Sequence, residues 1–83
     1  ALEANANVRS AEAHYREAIR LEPGFPRPYF SLGTMLYSLH RWQETIELFG
    51  KFKTLWKGDS KFVEFADKRI KASQDRIARM DKK

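Results

Sequence analysis

Cysteine is absent from all 83 residues, which excludes a disulfide framework and any thiolate metal site. That fits a reducing compartment, and a cytoplasmic setting is the expectation. The only histidines are His14 and His40. They stand far apart, with no carboxylate or second histidine at metal-ligand spacing, so no metal is expected. No apolar run approaches the roughly 20 residues that span a bilayer, and no signal peptide is visible. There is no glycine-rich phosphate loop and no serine-centred elbow. Glu44 and Glu47 lie about one helical turn apart, but without burial they form a solvated face rather than an acid–base pair. The chain is therefore expected to be no enzyme and to carry no cofactor. Its length suits one domain or a piece of one, with a modest core. It opens mid-pattern on Ala1-Leu2-Glu3-Ala4 without an initiator Met, so an excised fragment is the expectation.

What charge there is falls unevenly. The net charge is +5. Residues 1–50 hold five Lys/Arg against six Asp/Glu, and residues 51–83 hold eleven against five. A basic second half favours acidic partners, nucleic acid or anionic lipid. Acids are interleaved with the bases, however, and the plainer reading is the solvated face of a helix.

The most informative stretch runs from Phe25 to Gly58. One apolar stripe steps through Tyr29, Leu32, Met35/Leu36 and Leu39. A second steps through Trp42, Thr45/Ile46, Phe49, Phe52 and Leu55/Trp56. Both repeat every three or four residues, the period of a helix with one buried face. His40-Arg41 between them leaves room only for a tight reversal, so the two helices are predicted to lie antiparallel.

The residue types narrow this further. Tyr29, Leu32, Gly33, Leu36, Trp42, Thr45 and Phe49 stand in the pattern of a tetratricopeptide repeat, whose period is 34 residues. The stretch resembles one complete repeat. Thr45 replaces the usual Ala, Phe52 the next small residue, Lys57 the closing Pro and His40 the turn Gly. One period earlier, Val8, Ala11, Tyr15 and Ala18 match Trp42, Thr45, Phe49 and Phe52, and Pro23 takes the closing position. Residues 1–24 thus resemble an incomplete first repeat, mainly its second helix over 8–22. In that frame 1–4 end a first helix, Asn5-Ala6-Asn7 is the turn, and Asn7 is the N-cap. Missing most of its first helix, that repeat would leave Val8, Ala11, Tyr15 and Ala18 open on one side, and an uncapped edge invites a homo-oligomer.

Pro23-Gly24 should end the first helix, with Gly accepting positive φ. Pro26 and Pro28 suit the first turn of the next. Gly33 is expected to let two helices approach closely, while Gly50 has no evident purpose. Beyond Gly58, Asp59-Ser60 caps a third segment. There Phe62/Val63, Ala66, Ile70, Ser73, Ile77 and Met80 recur at helical spacing, with Glu64–Lys68, Asp67–Lys71 and Asp75–Arg79 as i,i+4 pairs. It keeps the repeat register but loses the signature, as a capping helix over 59–80 would, leaving 81–83 as a fraying tail. The expected fold is all-α: antiparallel helix–turn–helix repeats, a solenoid fragment with a C-terminal cap.

The resemblance implies a non-catalytic protein-interaction module that binds a peptide or helix in a concave groove. The groove positions are Arg27, Phe30, Thr34, Tyr37 and Ser38, with Lys61, Lys68 and Lys71 at its edge attracting acidic residues. Phe30 and Tyr37 would supply apolar area. The alternative for both is packing against the helix after Gly58. The branch of the family that clamps a C-terminal carboxylate needs Asn, Lys and Arg at fixed positions. Ser31, Lys61 and Phe65 stand there, so only the lysine matches and that specialisation is rejected. Two other functions compete: self-assembly through the open edge around Tyr15 and, last in rank, nucleic-acid binding by the basic half, where Phe62 is read as core rather than as a stacking surface.

Overall fold

Four helices follow one another in the computed structural model, which describes residues 2–81 and the side-chain surroundings of residues 7–80. They are α1 (Leu2–Leu21), α2 (Arg27–Ser38), α3 (Trp42–Leu55) and α4 (Ser60–Asp81), and no strand occurs among the described residues. The architecture is all-α and repeat-like, as the two stripes predict. α1 lies against α2, α2 and α3 form an antiparallel hairpin, and α4 packs chiefly on α3 with an edge on α2. The body measures 41 × 36 × 19 Å. Its thin dimension is about two helix diameters, as stacked helix pairs require.

Each boundary has a local cause. α1 stops at Leu21, and Tyr29 then fixes the connection by donating its hydroxyl hydrogen to the Pro23 carbonyl at 2.6 Å. Pro26 is the residue before α2 and Pro28 lies in its first turn, where a missing N–H leaves no partner wanting. α2 closes in a Schellman motif: the Arg41 N–H reaches the Leu36 carbonyl at 3.0 Å, and the His40 N–H reaches that of Tyr37 at 3.1 Å. The residue that must turn left-handed for this is His40, at φ 61°. No described glycine has positive φ, so α1 ends without the left-handed turn expected of Gly24. α4 starts on a carboxylate cap, with Asp59 Oδ1 accepting from the Lys61 N–H at 2.9 Å.

One sequence expectation fails. Residues 5–7 form no turn and Asn7 is no N-cap, because α1 runs unbroken from Leu2 to Leu21. Asn is a mild helix former, less than about 1 kcal/mol worse than Ala, and neither Gly nor Pro interrupts this stretch. A single turn over 2–4 could not have stabilised itself as a separate helix, so continuing α1 is the lower-energy course. The last two residues of the expected tail lie outside the described residues.

The core gathers where α2, α3 and α4 meet. Leu32, Leu36, Phe49 and Ala66 are fully inaccessible to water, and Phe52 and Tyr29 nearly so. Thr45 is equally buried and satisfies its hydroxyl by donating to the Arg41 carbonyl at 2.8 Å. Gly33 does what its position suggests: a Cβ there would sit 3.0 Å from the Phe49 ring, so its absence lets the α2 backbone rest on that ring. Gly50 faces open space. The corresponding residues of the first unit, Ala11, Tyr15 and Ala18, are only half-buried, and Pro23 is exposed. Ser73 on α4 is fully buried, and its hydroxyl reaches no partner among the described residues. An unmet buried hydroxyl costs about 1–3 kcal/mol, whereas the smaller methyl of Ala leaves no polar group unmet at the cost of a small void. Ser73→Ala is therefore expected to raise stability by about 1 kcal/mol in urea unfolding, and a loss of stability would contradict the packing described.

α1 is also held by charge. Arg41, at the α2–α3 turn, bonds Glu12 of α1 at 2.8 Å and Glu44 of α3 at 2.7 Å, while Arg16 of α1 spans the same two carboxylates at 3.0 Å each. Hydrogen bonding from Arg41, above all other causes, holds both carboxyls below their ordinary range. Their folded values lie below their unfolded ones, so their contribution is complete above the unfolded range and disappears as pH falls through the folded values. The side chains remain 18% to 46% exposed, and solvent screening limits the network to about 1 kcal/mol. Stability should fall as the pH is lowered from neutral through the carboxylate range, and Arg41→Gln should flatten that dependence. An unchanged slope in the variant would show that other carboxylates cause it.

Candidate functional site

α2 and α4 lie side by side, and several of the predicted site residues meet along that seam. Three contacts set its register. Phe30 of α2 faces Phe62 and Phe65 of α4, at ring-centroid distances of 5.8 and 5.3 Å. Tyr37 lies under the Arg69 guanidinium at 4.5 Å. Trp42, just past the turn, lies under Arg76 at 5.7 Å. Residue numbers rise together on both sides, so the helices point the same way.

At its N-terminal end the groove opens into a cleft of about 240 Å³, lined by Arg27, Phe30, Ser31, Phe52, Trp56 and Phe62. Its walls arise from three local features. Phe30 is half-buried amid an aromatic cluster, with edge-to-face contact to Phe49 at 5.5 Å and tilted contact to Phe52 at 4.9 Å. Trp56 is the first residue after α3 and takes an extended backbone. Its indole stacks on Phe52 at 5.3 Å and donates its N–H to the Asp59 carbonyl at 2.9 Å. Gly58 makes room for that ring, since a Cβ there would fall 2.5 Å from Trp56. Phe62 forms the outer wall, in edge contact with Trp56 at 5.2 Å and 45% exposed. It is therefore a rim residue and not the core position its stripe suggests. Its place in the first turn of α4 leaves one ring face beyond the reach of the hairpin. Arg27 supplies the only charged group in the cleft lining and pairs with no carboxylate among the described residues.

The predicted groove residues divide. Arg27 and Phe30 meet in the cleft, and Tyr37 meets α4 two turns along. Phe30 and Tyr37 both touch α4 as well as facing the groove, so packing and exposure coexist in them. Thr34 and Ser38 are exposed on α2 and turn their hydroxyls back to helix carbonyls, Phe30 at 2.9 Å and Thr34 at 3.3 Å. Lys61 is exposed beside the α4 cap. Lys68 and Lys71 share a shallow depression on α4 with Ala72 and Asp75, away from the aromatic cleft. The lysines do not line the aromatic row.

Sequence reasoning missed Arg69, Arg76 and Trp56. Arg69 rests on both Tyr37 and Phe65, at 4.5 and 4.7 Å. Trp42 has His40 stacked on it at 4.9 Å with the planes 16° apart, and Tyr37 at its edge at 5.3 Å. A signal for the arginines did exist: the residues three and four positions from Arg69 and Arg76 include no acid, so neither has an intrahelical ion-pair partner. Among the described residues no cluster of His, Cys, Asp or Glu could hold a metal ion, and no helix is long and apolar enough to cross a membrane. No known protein family, curated protein or solved structure matches this chain.

Proposed function

We propose that this chain is a tetratricopeptide-type interaction module, without catalytic activity, that binds a peptide or helix of another protein in the α2–α4 groove. The observation that carries this reading is the open aromatic cleft at one end of the groove, with Phe62 left 45% exposed beside Trp56. Large aromatics at the rim of a preformed cleft are the usual anchors of peptide binding, because they bury much area at little entropic cost. The volume, about 240 Å³, suits one large apolar side chain of a partner rather than a drug-sized ligand. The 34-residue spacing of the two sequence units and the register of the cap support the family assignment.

A displayed peptide library selected on the folded protein tests the proposal. Selected peptides should lose at least tenfold in affinity on Phe62→Ala, which removes the outer wall, and on Ser31→Trp, which fills the cleft. Both variants should keep the circular dichroism of the parent, since both positions lie at the rim. Binding indifferent to the two changes would place the partner elsewhere and reject the groove.

A further inference from the structure

Phe62, Arg69 and Arg76 are separated by seven residues each on α4. Seven residues are close to two helical turns, so the three side chains form one row with steps of about 10 Å. The row faces the aromatic side of α2 and α3: Phe62 meets Phe30, Arg69 lies on Tyr37, and Arg76 lies on Trp42. Neither arginine is paired with a carboxylate among the described residues, although α4 itself carries Asp75 bonded to Arg79 and Asp67 bonded to Lys53.

A guanidinium resting over a ring is partly pre-positioned. The ring contact restrains the side chain before any partner arrives, and with no carboxylate paired to it among the described residues the guanidinium keeps N–H donors for an acceptor. The cleft beside Phe62 takes an apolar group, and the two forks beyond it take anions. From this arrangement we infer that the groove reads a partner helix presenting one large apolar residue followed, at the same heptad spacing, by two carboxylates. A helical partner keeps its own side chains in register with α4 over all three steps. The inference rests on the groove being a peptide site and adds the chemistry of the peptide. Single-stranded nucleic acid fits less well, because Tyr37 and Trp42, whose faces would stack bases, already carry Arg69 and Arg76.

The test uses three alanine-rich helical peptides of roughly 20 residues with equal net charge. One carries Leu, Glu and Glu at successive heptad positions, one carries the reverse order, and one has both Glu moved two positions round the helix. Fluorescence anisotropy at low salt gives the affinities, and oligothymidylate serves as the competing probe. One of the two in-register peptides should bind at least tenfold tighter than the shifted peptide. That preference should vanish in Arg69→Gln/Arg76→Gln and shrink in Arg69→Lys/Arg76→Lys, which keeps the charge but not the fork. The variants lie on the surface of α4, and unchanged helicity checks their folding. Equal binding of all three peptides, or tighter binding of oligothymidylate, would overturn the inference. Library-selected peptides that depend on Phe62 yet ignore both arginines would overturn it too, while leaving the groove itself intact.

Discussion

Phe49→Ala should cost about 3–5 kcal/mol, the range for deleting a fully buried aromatic side chain. Phe49 is inaccessible to water and belongs to three helices at once. It rises from α3, lies against the bare backbone of α2 at Gly33, and meets Phe30 edge-on at 5.5 Å and Phe65 of α4 at 6.2 Å. Collapse cannot refill such a hole, because Gly33 offers no side chain to move in and the remaining rings are held by one another. A domain of this size has only about 5–15 kcal/mol in total, and each kcal/mol lowers the melting temperature by roughly 4–8 °C. The variant should therefore melt at least about 12 °C lower or not fold cooperatively at all. Phe49→Leu, which keeps most of the volume, should recover more than half of the loss. A decrease below 1 kcal/mol for Phe49→Ala would mean that the three helices do not converge on this ring.

The second large effect joins stability to the site. Gly58→Ala should destabilise by about 2 kcal/mol and close or distort the cleft, because the added Cβ would lie 2.5 Å from the Trp56 indole. No positive φ is involved, so the cost is entirely that of moving the ring. Displacing it forfeits the stack on Phe52 and the bond to the Asp59 carbonyl, each worth about 1 kcal/mol. Gly50→Ala is the matched comparison: nothing lies within 4 Å of the added carbon, and a mid-helix Ala should stabilise by about 1 kcal/mol. In a Trp42→Phe background, Trp56 is the sole fluorophore of its kind, and its emission should move to the red in Gly58→Ala and stay in place in Gly50→Ala. Matching behaviour of the two glycines would show that the Trp56 ring does not occupy the space over Gly58.

Both predictions draw on features that were only partly legible in the sequence. The purpose of Gly33 could be read through the family resemblance, which places a glycine where the two helices of a repeat approach, whereas Gly50 in the next helix has no such neighbour. Gly58 reads as a helix stop, yet its demand for space comes from a tryptophan two residues away that folds back over it. The apolar stripe of α4 gives its helix and its inward line through the buried Ala66 and the half-buried Ile70. It gives no hint that Phe62, on the edge of the same stripe, is left half in water. The lysines of α4 attracted attention as the evident source of positive charge, whereas the two arginines lying on rings are the better-positioned cations. Intrahelical spacing shows which bases lack an acid three or four residues away, but stacking partners reside on other helices.

By itself the sequence determined the four apolar periods, the antiparallel α2–α3 hairpin, the cap at Asp59 and the all-α class. Each of these depends on contacts within a few turns, where residue type and spacing suffice. The tertiary structure alone decided that Phe62, Arg69 and Arg76 share a row against Phe30, Tyr37 and Trp42. That outcome depends on how α2 and α4 lie side by side. The pairing of two helices with α3 between them is fixed by packing over the whole core and not by any single stretch of chain.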